Sequence, residues 1–146
     1  MKTNVFVIII LLLVSCNSQK DDFKLCFNKK YPYYNPKLNY EGGFYEIKKH
    51  FFDNFKEIDG EGNTGIVRIQ FQVNCLGKTG NYQIETYSNN FEKSVMANEI
   101  TEQLIQLTKD LQKWIPAVND NGESVDIHKF LAFKLEKGKL IDILPK

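Results

Sequence analysis

The stretch Gly65-Ile66-Val67-Arg68-Ile69-Gln70-Phe71-Gln72-Val73-Asn74-Cys75 decides the fold. Val67, Ile69, Phe71, Val73 and Cys75 alternate with Arg68, Gln70, Gln72 and Asn74. Successive side chains of a strand point to opposite faces, so this period of two marks a strand with one buried and one wet face. That pattern belongs to an antiparallel sheet with a solvated side. Leu76-Gly77-Lys78-Thr79-Gly80 reads as a turn, after which Tyr82, Ile84 and Thr86 alternate with Gln83 and Glu85 and complete a hairpin. Asn89-Asn90 marks the exit.

On the N-terminal side, Gly42-Gly43 opens an amphipathic helix. Its Phe44, Ile47, Phe51 and Phe55 recur at helical spacing, and Lys48, Lys49, Asp53 and Asn54 take the other face. Asp59-Gly60-Glu61-Gly62-Asn63 is a loop by composition. On the C-terminal side, a second helix is expected from about Lys93 to Gln112. Met96, Ile100, Leu104, Leu107 and Leu111 form its core stripe. Trp114 and Pro116 end it. After the turn Asn119-Asp120-Asn121-Gly122 a long strand is expected over Ser124–Leu135. Val125, Ile127, Leu131, Phe133 and Leu135 share one face of it, and Lys129 interrupts that face. Gly138 makes one more turn, and Leu140, Ile141 and Ile143 form a short final strand. The expected order is α-β-β-α-β-β, a two-layer α+β domain with two helices packed on one face of a small antiparallel sheet.

The first residues read as a targeting segment. Lys2 gives a positive start, and Val5–Val14 carries no polar side chain. That run is too short for a membrane-spanning helix, which needs about 20 residues, and has the length of a signal-peptide apolar region. It ends in Leu13-Val14-Ser15-Cys16, which resembles the lipobox of bacterial lipoproteins. The Cys16 thiol would take a diacylglycerol and its freed amine a third acyl chain. A plain secretory signal cut near Ser15, or an uncleaved anchor, is the alternative. Gln19, Lys20, Asp21 and Asp22 look like the basic-then-acidic run some Gram-negative bacteria use to export lipoproteins to the cell surface; the simpler reading is a solvated tether. The expected organisation is a signal peptide over 1–15, lipidated Cys and tether over 16–22, a Tyr/Pro-rich lead-in over 23–41 and a domain over 42–146. The expected location is the outer membrane, periplasm-facing or at the cell surface, held by acyl chains.

Tyr31, Tyr33, Tyr34 and Tyr40 surround Pro32 and Pro36 in the lead-in, and the prolines favour an extended segment. The rings suit either a cover laid across a small domain or a sugar-stacking platform. Once Cys16 is lipidated, Cys26 and Cys75 remain, an even count in an oxidising compartment, and a disulfide between them is expected.

Composition narrows the function. The 146 residues are 42% hydrophobic and 25% charged, with 19 basic against 18 acidic side chains and a formal net charge of +1. Arg68 is the sole arginine, which argues against nucleic-acid recognition. Two His and three Cys form no metal motif, and no cofactor is expected. Cys75 with His128 could be cast as a thiol–imidazole pair, but Cys75 closes a buried strand face and His128 lies on a wet one. His50 reads as a solvated or partly packed helix residue. Glu57, Asp59 and Glu61 form no carboxylate pair on rigid elements, and Gly60-Glu61-Gly62 lacks the context of a phosphate loop. No enzymatic activity is expected.

Gly42 and Gly43 before the first helix, the Gly65–Gly80 strand and turn, then Trp114-Ile115-Pro116-Ala117, Gly122 and Val125 resemble the TonB C-terminal domain over roughly residues 41–135. The resemblance implies a non-enzymatic envelope protein that transmits force or makes protein contacts. It also implies that the strand after the second helix lies at a sheet edge and can add a partner's strand, here through Val125, Ile127, Lys129, Leu131 and Phe133. The tail from Gly138 is expected to fold back onto that edge, so that a homodimer would need the tail displaced. Usual members carry an inner-membrane helix and a Pro-rich spacer, in place of which this chain has the lipobox and a short tether. Three readings follow. The first is a binding module for an envelope protein, in an outer-membrane transport or secretion assembly. The second is a structural accessory subunit of such an assembly, and the third a surface glycan-binding lipoprotein.

Overall fold

A computed structural model describes residues 23–27 and 38–145. Among them the elements run β1 (Asn39–Tyr40), α1 (Gly43–Asn54), β2 (Gly65–Val73), β3 (Thr79–Tyr87), α2 (Asn98–Lys109), β4 (Trp114–Ile115), β5 (Ala117–Val118), β6 (Ser124–Val125), β7 (Ile127–Glu136) and β8 (Lys139–Leu144). The fold is mixed α+β, with two helices and antiparallel sheets. Its four-stranded sheet has the order β3-β2-β7-β8, and β1·β4 and β5·β6 form two small ribbons.

The alternation in β2 does what its period dictates. Val67, Ile69, Phe71 and Val73 are fully buried, and across the sheet Val67 pairs with Phe133 and Ile69 with Leu131. Ile47 and Phe51 of α1 and Ile100 and Leu104 of α2 pack into the same core. The Phe51 and Phe133 rings lie 4.6 Å apart. Burying each such side chain contributes about 1.5–3 kcal/mol. Gly42, at φ 77, supplies the left-handed conformation from which α1 starts. His50 shares a hydrogen bond with the Leu107 carbonyl at 3.0 Å and so fastens α1 to α2.

Two expectations change. The second helix is shorter than Lys93–Gln112, because Lys93 bridges to Tyr87 and the Ser94 N–H donates to the Thr86 carbonyl, holding that stretch extended beside β3. Met96 and Leu111 are buried as expected but lie outside the helix. The strand expected over Ser124–Leu135 is divided at Asp126 into β6 and β7. Its Val125 pairs with Ala117 in a separate ribbon rather than joining the main sheet. Described residues of the lead-in also pack on the elements that follow. Tyr40 pairs with Trp114 in β1·β4, their rings 5.0 Å apart, and Phe23 sits so close to Gly80 that a Cβ there would overlap its ring.

The turn of the C-terminal hairpin packs against the loop that follows α1. Gly138, at φ 84, lets the β7–β8 turn approach Ile58, whose N–H donates to the Gly138 carbonyl at 3.3 Å. The Gly138 N–H donates to the Asn63 carbonyl at 2.8 Å. Buried Asn63 also donates from Nδ2 to the Ile58 carbonyl and accepts the Ala97 N–H, so one side chain joins the loop after α1 to the approach to α2. Lys48 of α1 pairs with Asp142 of β8.

Candidate functional site

Two places in the fold concentrate polar chemistry or exposed apolar surface. The first is a clasp around the disulfide. Cys26 and Cys75 are bonded, with Cα atoms 6.0 Å apart. Asp126 is fully buried beside them. Its Oδ1 accepts the N–H of Cys26 at 3.1 Å and of Cys75 at 3.0 Å, and its Oδ2 accepts the Phe27 N–H at 2.7 Å. Asn74 completes the clasp by donating to the Lys24 carbonyl at 2.9 Å while its Oδ1 accepts the N–H groups of Leu76 and Lys78. Cys26, Cys75 and Asp126 bring three metal-type ligand atoms together. With the two sulfurs bonded to each other and the carboxylate filled by backbone donors, the cluster works as a structural fastening.

The second is the outer face of the four-stranded sheet, opposite the helices. The positions of β2 on this face are Ile66, Arg68, Gln70 and Gln72, flanked by Tyr87, Glu85 and Gln83 on β3 and by Lys134, Ala132, Phe130 and His128 on β7. At one end lies an apolar groove of about 630 Å³, walled by Ile66, Tyr87, Phe91, Phe130, Ala132, Leu144 and Pro145, with Arg68 and Lys134 at its sides. At the other lies a polar hollow of about 380 Å³ lined by Gln70, Gln72, Asn81, Tyr82, Gln83 and His128. Phe91 is 75% exposed at φ 61, a conformation that a bulky residue adopts only when its surroundings hold it there. A short turn does so: Ser88 accepts the Phe91 N–H and donates to the Glu92 carbonyl.

The charges of this face are mostly matched. Arg68 pairs with Glu85 at 3.3 Å, donates to Gln70 at 3.2 Å and lies 5.9 Å from the Phe130 ring centre. A hydrogen bond to Glu85 holds the Tyr87 phenol above its ordinary pKa. Lys134 makes no ion pair with a described residue, and its cross-strand neighbour Asp142 is engaged by Lys48.

The residues singled out from sequence fall as follows. Cys16, Gln19, Lys20, Asp21 and Asp22, and the tyrosines at 31, 33 and 34, lie outside the described residues. Trp114 is buried against Tyr40 and Phe71, and its indole N–H finds no acceptor among the described residues. Pro116 separates β4 from β5, and Gly122 takes φ 82 in the turn before β6. The tail covers part of the edge set, and β8 does not pair with β7 over Ile127–Leu131. Over Ala132–Glu136, β7 is an inner strand between β2 and β8, and the side chains of Val125, Ile127, Leu131 and Phe133 are buried. Lys129 shares their face, and burial pushes its pKa below the usual lysine range. Cys75 is in the disulfide, which leaves no thiol for His128 to activate. Sequence reasoning missed the groove. Its only local signal was apolar residues at the wet positions of strands, Ile66, Phe130 and Ala132.

No family model, curated protein or solved structure matches the chain. No helix among the described residues is long and apolar enough to cross a membrane.

Proposed function

We propose that this chain is a non-enzymatic, lipid-anchored protein of the bacterial envelope. Its two-layer, TonB C-terminal-like domain binds a protein partner in an outer-membrane transport or secretion assembly. The observation that carries the binding is the apolar groove on the outer sheet face, with Phe91 held outward at its rim. An exposed apolar concavity of this size is a cost to an isolated soluble domain and marks an interaction surface. Export through the envelope is supported by the lipobox at Cys16 and by the Cys26–Cys75 disulfide, a bond that persists in oxidising compartments. The Trp114–Pro116 and Asn121–Gly122 landmarks support the TonB-like reading.

The test is affinity purification in mild detergent from native membranes with the full-length protein and with Ala132→Asp, which places a carboxylate in the groove floor. One partner, recovered with the unaltered protein and lost with a variant of unchanged circular dichroism, is expected. Equal recovery of every co-purifying protein by both would overturn the reading. A stoichiometric companion that remains in both preparations would favour the accessory-subunit alternative.

A further inference from the structure

We infer that the outer sheet face receives one extended polypeptide segment laid along β2. The segment is apolar at one end, carries a carboxylate beside that end, and bears uncharged polar side chains at the other. This rests on the reading of the groove as the docking face and names the chemistry of what docks.

Continuity of the surface is the first argument. A small hollow of about 210 Å³, lined by Arg68, Gln70, His128, Lys129 and Phe130, joins the apolar groove to the amide-lined one. Arg68 and Phe130 belong to the first pair of hollows, and Gln70 and His128 to the second. The three therefore form one trough following β2 from Ile66 to Gln72. At about 3.3 Å per residue that path is roughly 20 Å, the length of an extended segment of six or seven residues.

Charge gives the second. Of the acids nearest the groove, Glu85 is occupied by Arg68 and Tyr87 and Asp142 by Lys48, while Glu136, two residues beyond Lys134 on the same face, does not line it. Lys134, beside Ile66 at the groove, has no such partner among the described residues. A carboxylate on the incoming segment supplies one.

The amide end gives the third. Gln72 is buried, its Oε1 accepts Asn81 at 2.5 Å, and its Nε2 stands 3.5 Å from His128 Nε2. Gln70 and Gln83 line the same hollow, which contains no carboxylate or ammonium. Neutral donors and acceptors of this kind match main-chain amides and Asn, Gln, Ser or Thr side chains. A single-chain lipid would fill the groove alone and leave that end unused.

The experiment places the photo-crosslinker p-benzoylphenylalanine at Phe91 and, separately, at Gln83 in the full-length membrane-bound protein, and maps adducts by mass spectrometry. Both positions are expected to capture the same protein, at sites about four to eight residues apart with an Asp or Glu between them. Lys134→Glu should lower both yields about five-fold, and Lys134→Arg should restore them. Capture of a protein from Phe91 alone, or from both positions at distant sites, leaves the docking face standing and overturns the extended-segment inference. Adducts of acyl-lipid mass, or no protein adduct at either position, overturn both.

Discussion

Asp126 accepts the backbone N–H of Cys75 at 3.0 Å with the same Oδ1 that accepts the N–H of Cys26 at 3.1 Å. One buried carboxylate oxygen thus spans the two residues that the disulfide joins covalently. The carboxylate sits where the expected long strand breaks, and the break is what aims it at them.

Asp126→Ala should therefore be severely destabilising. It removes a charged acceptor from three backbone donors and leaves them buried without partners, a loss of about 3 kcal/mol or more. Asp126→Asn keeps one acceptor oxygen and should cost less. Urea denaturation of both variants checks the order; an alanine variant as stable as the unaltered protein would contradict the clasp.

Breaking the disulfide is expected to cost about 4 kcal/mol at most, the chain-entropy figure for a loop closed over 49 residues. Asp126 and Asn74 would still hold the segment of residues 23–27, so the realised loss in Cys26→Ala/Cys75→Ala should be smaller. Thermal unfolding with and without reductant measures it.

Lys129 gives a pH signature. Burial lowers its pKa in the folded state, so the unfolded chain binds the proton more readily in the window between that lowered value and the ordinary lysine value. Stability from this group is penalised below the window and recovers as pH rises through it. Lys129→Met should be more stable than the unaltered protein near neutrality, with the advantage shrinking toward about pH 10. A difference that does not change with pH would remove the titration argument.

Deleting residues 138–146 removes β8 with its buried Ile143 and exposes the Ala132–Glu136 edge of β7. An unpaired edge is a template for another strand. The truncated protein should dimerise in sedimentation velocity, while the intact protein stays monomeric at the same concentration.

Cys16→Ala should leave an unprocessed precursor and abolish labelling by a fatty-acid analogue. Labelling that survives the substitution would place the anchor elsewhere.

Sequence periodicity made the core legible wherever one strand carried its own contrast, as Val67 to Val73 did against Arg68 to Gln72. Helix ends were less so, because Met96 and Leu111 keep the apolar spacing after the backbone has left the helix. The break at Asp126 was hidden for another reason. The role of Asp126 depends on Cys75 and on Cys26, which lies 100 residues away in the chain, and no local pattern encodes that. The groove was hidden similarly: Phe91 comes from a turn, Leu144 from the end of the last strand and Pro145 from just beyond it, so its apolar character exists only after these meet β2 and β7.

The order β3-β2-β7-β8 carries a consequence for synthesis. β2 sits between a strand that follows it at once and one that arrives some sixty residues later, and β7 pairs with it along its whole length. Such non-local pairing is slow and has to wait for its later half. A ribosome must therefore emit the chain as far as β7 before the sheet can close, and until then the main-chain groups along one side of β2 wait for their ladder partners.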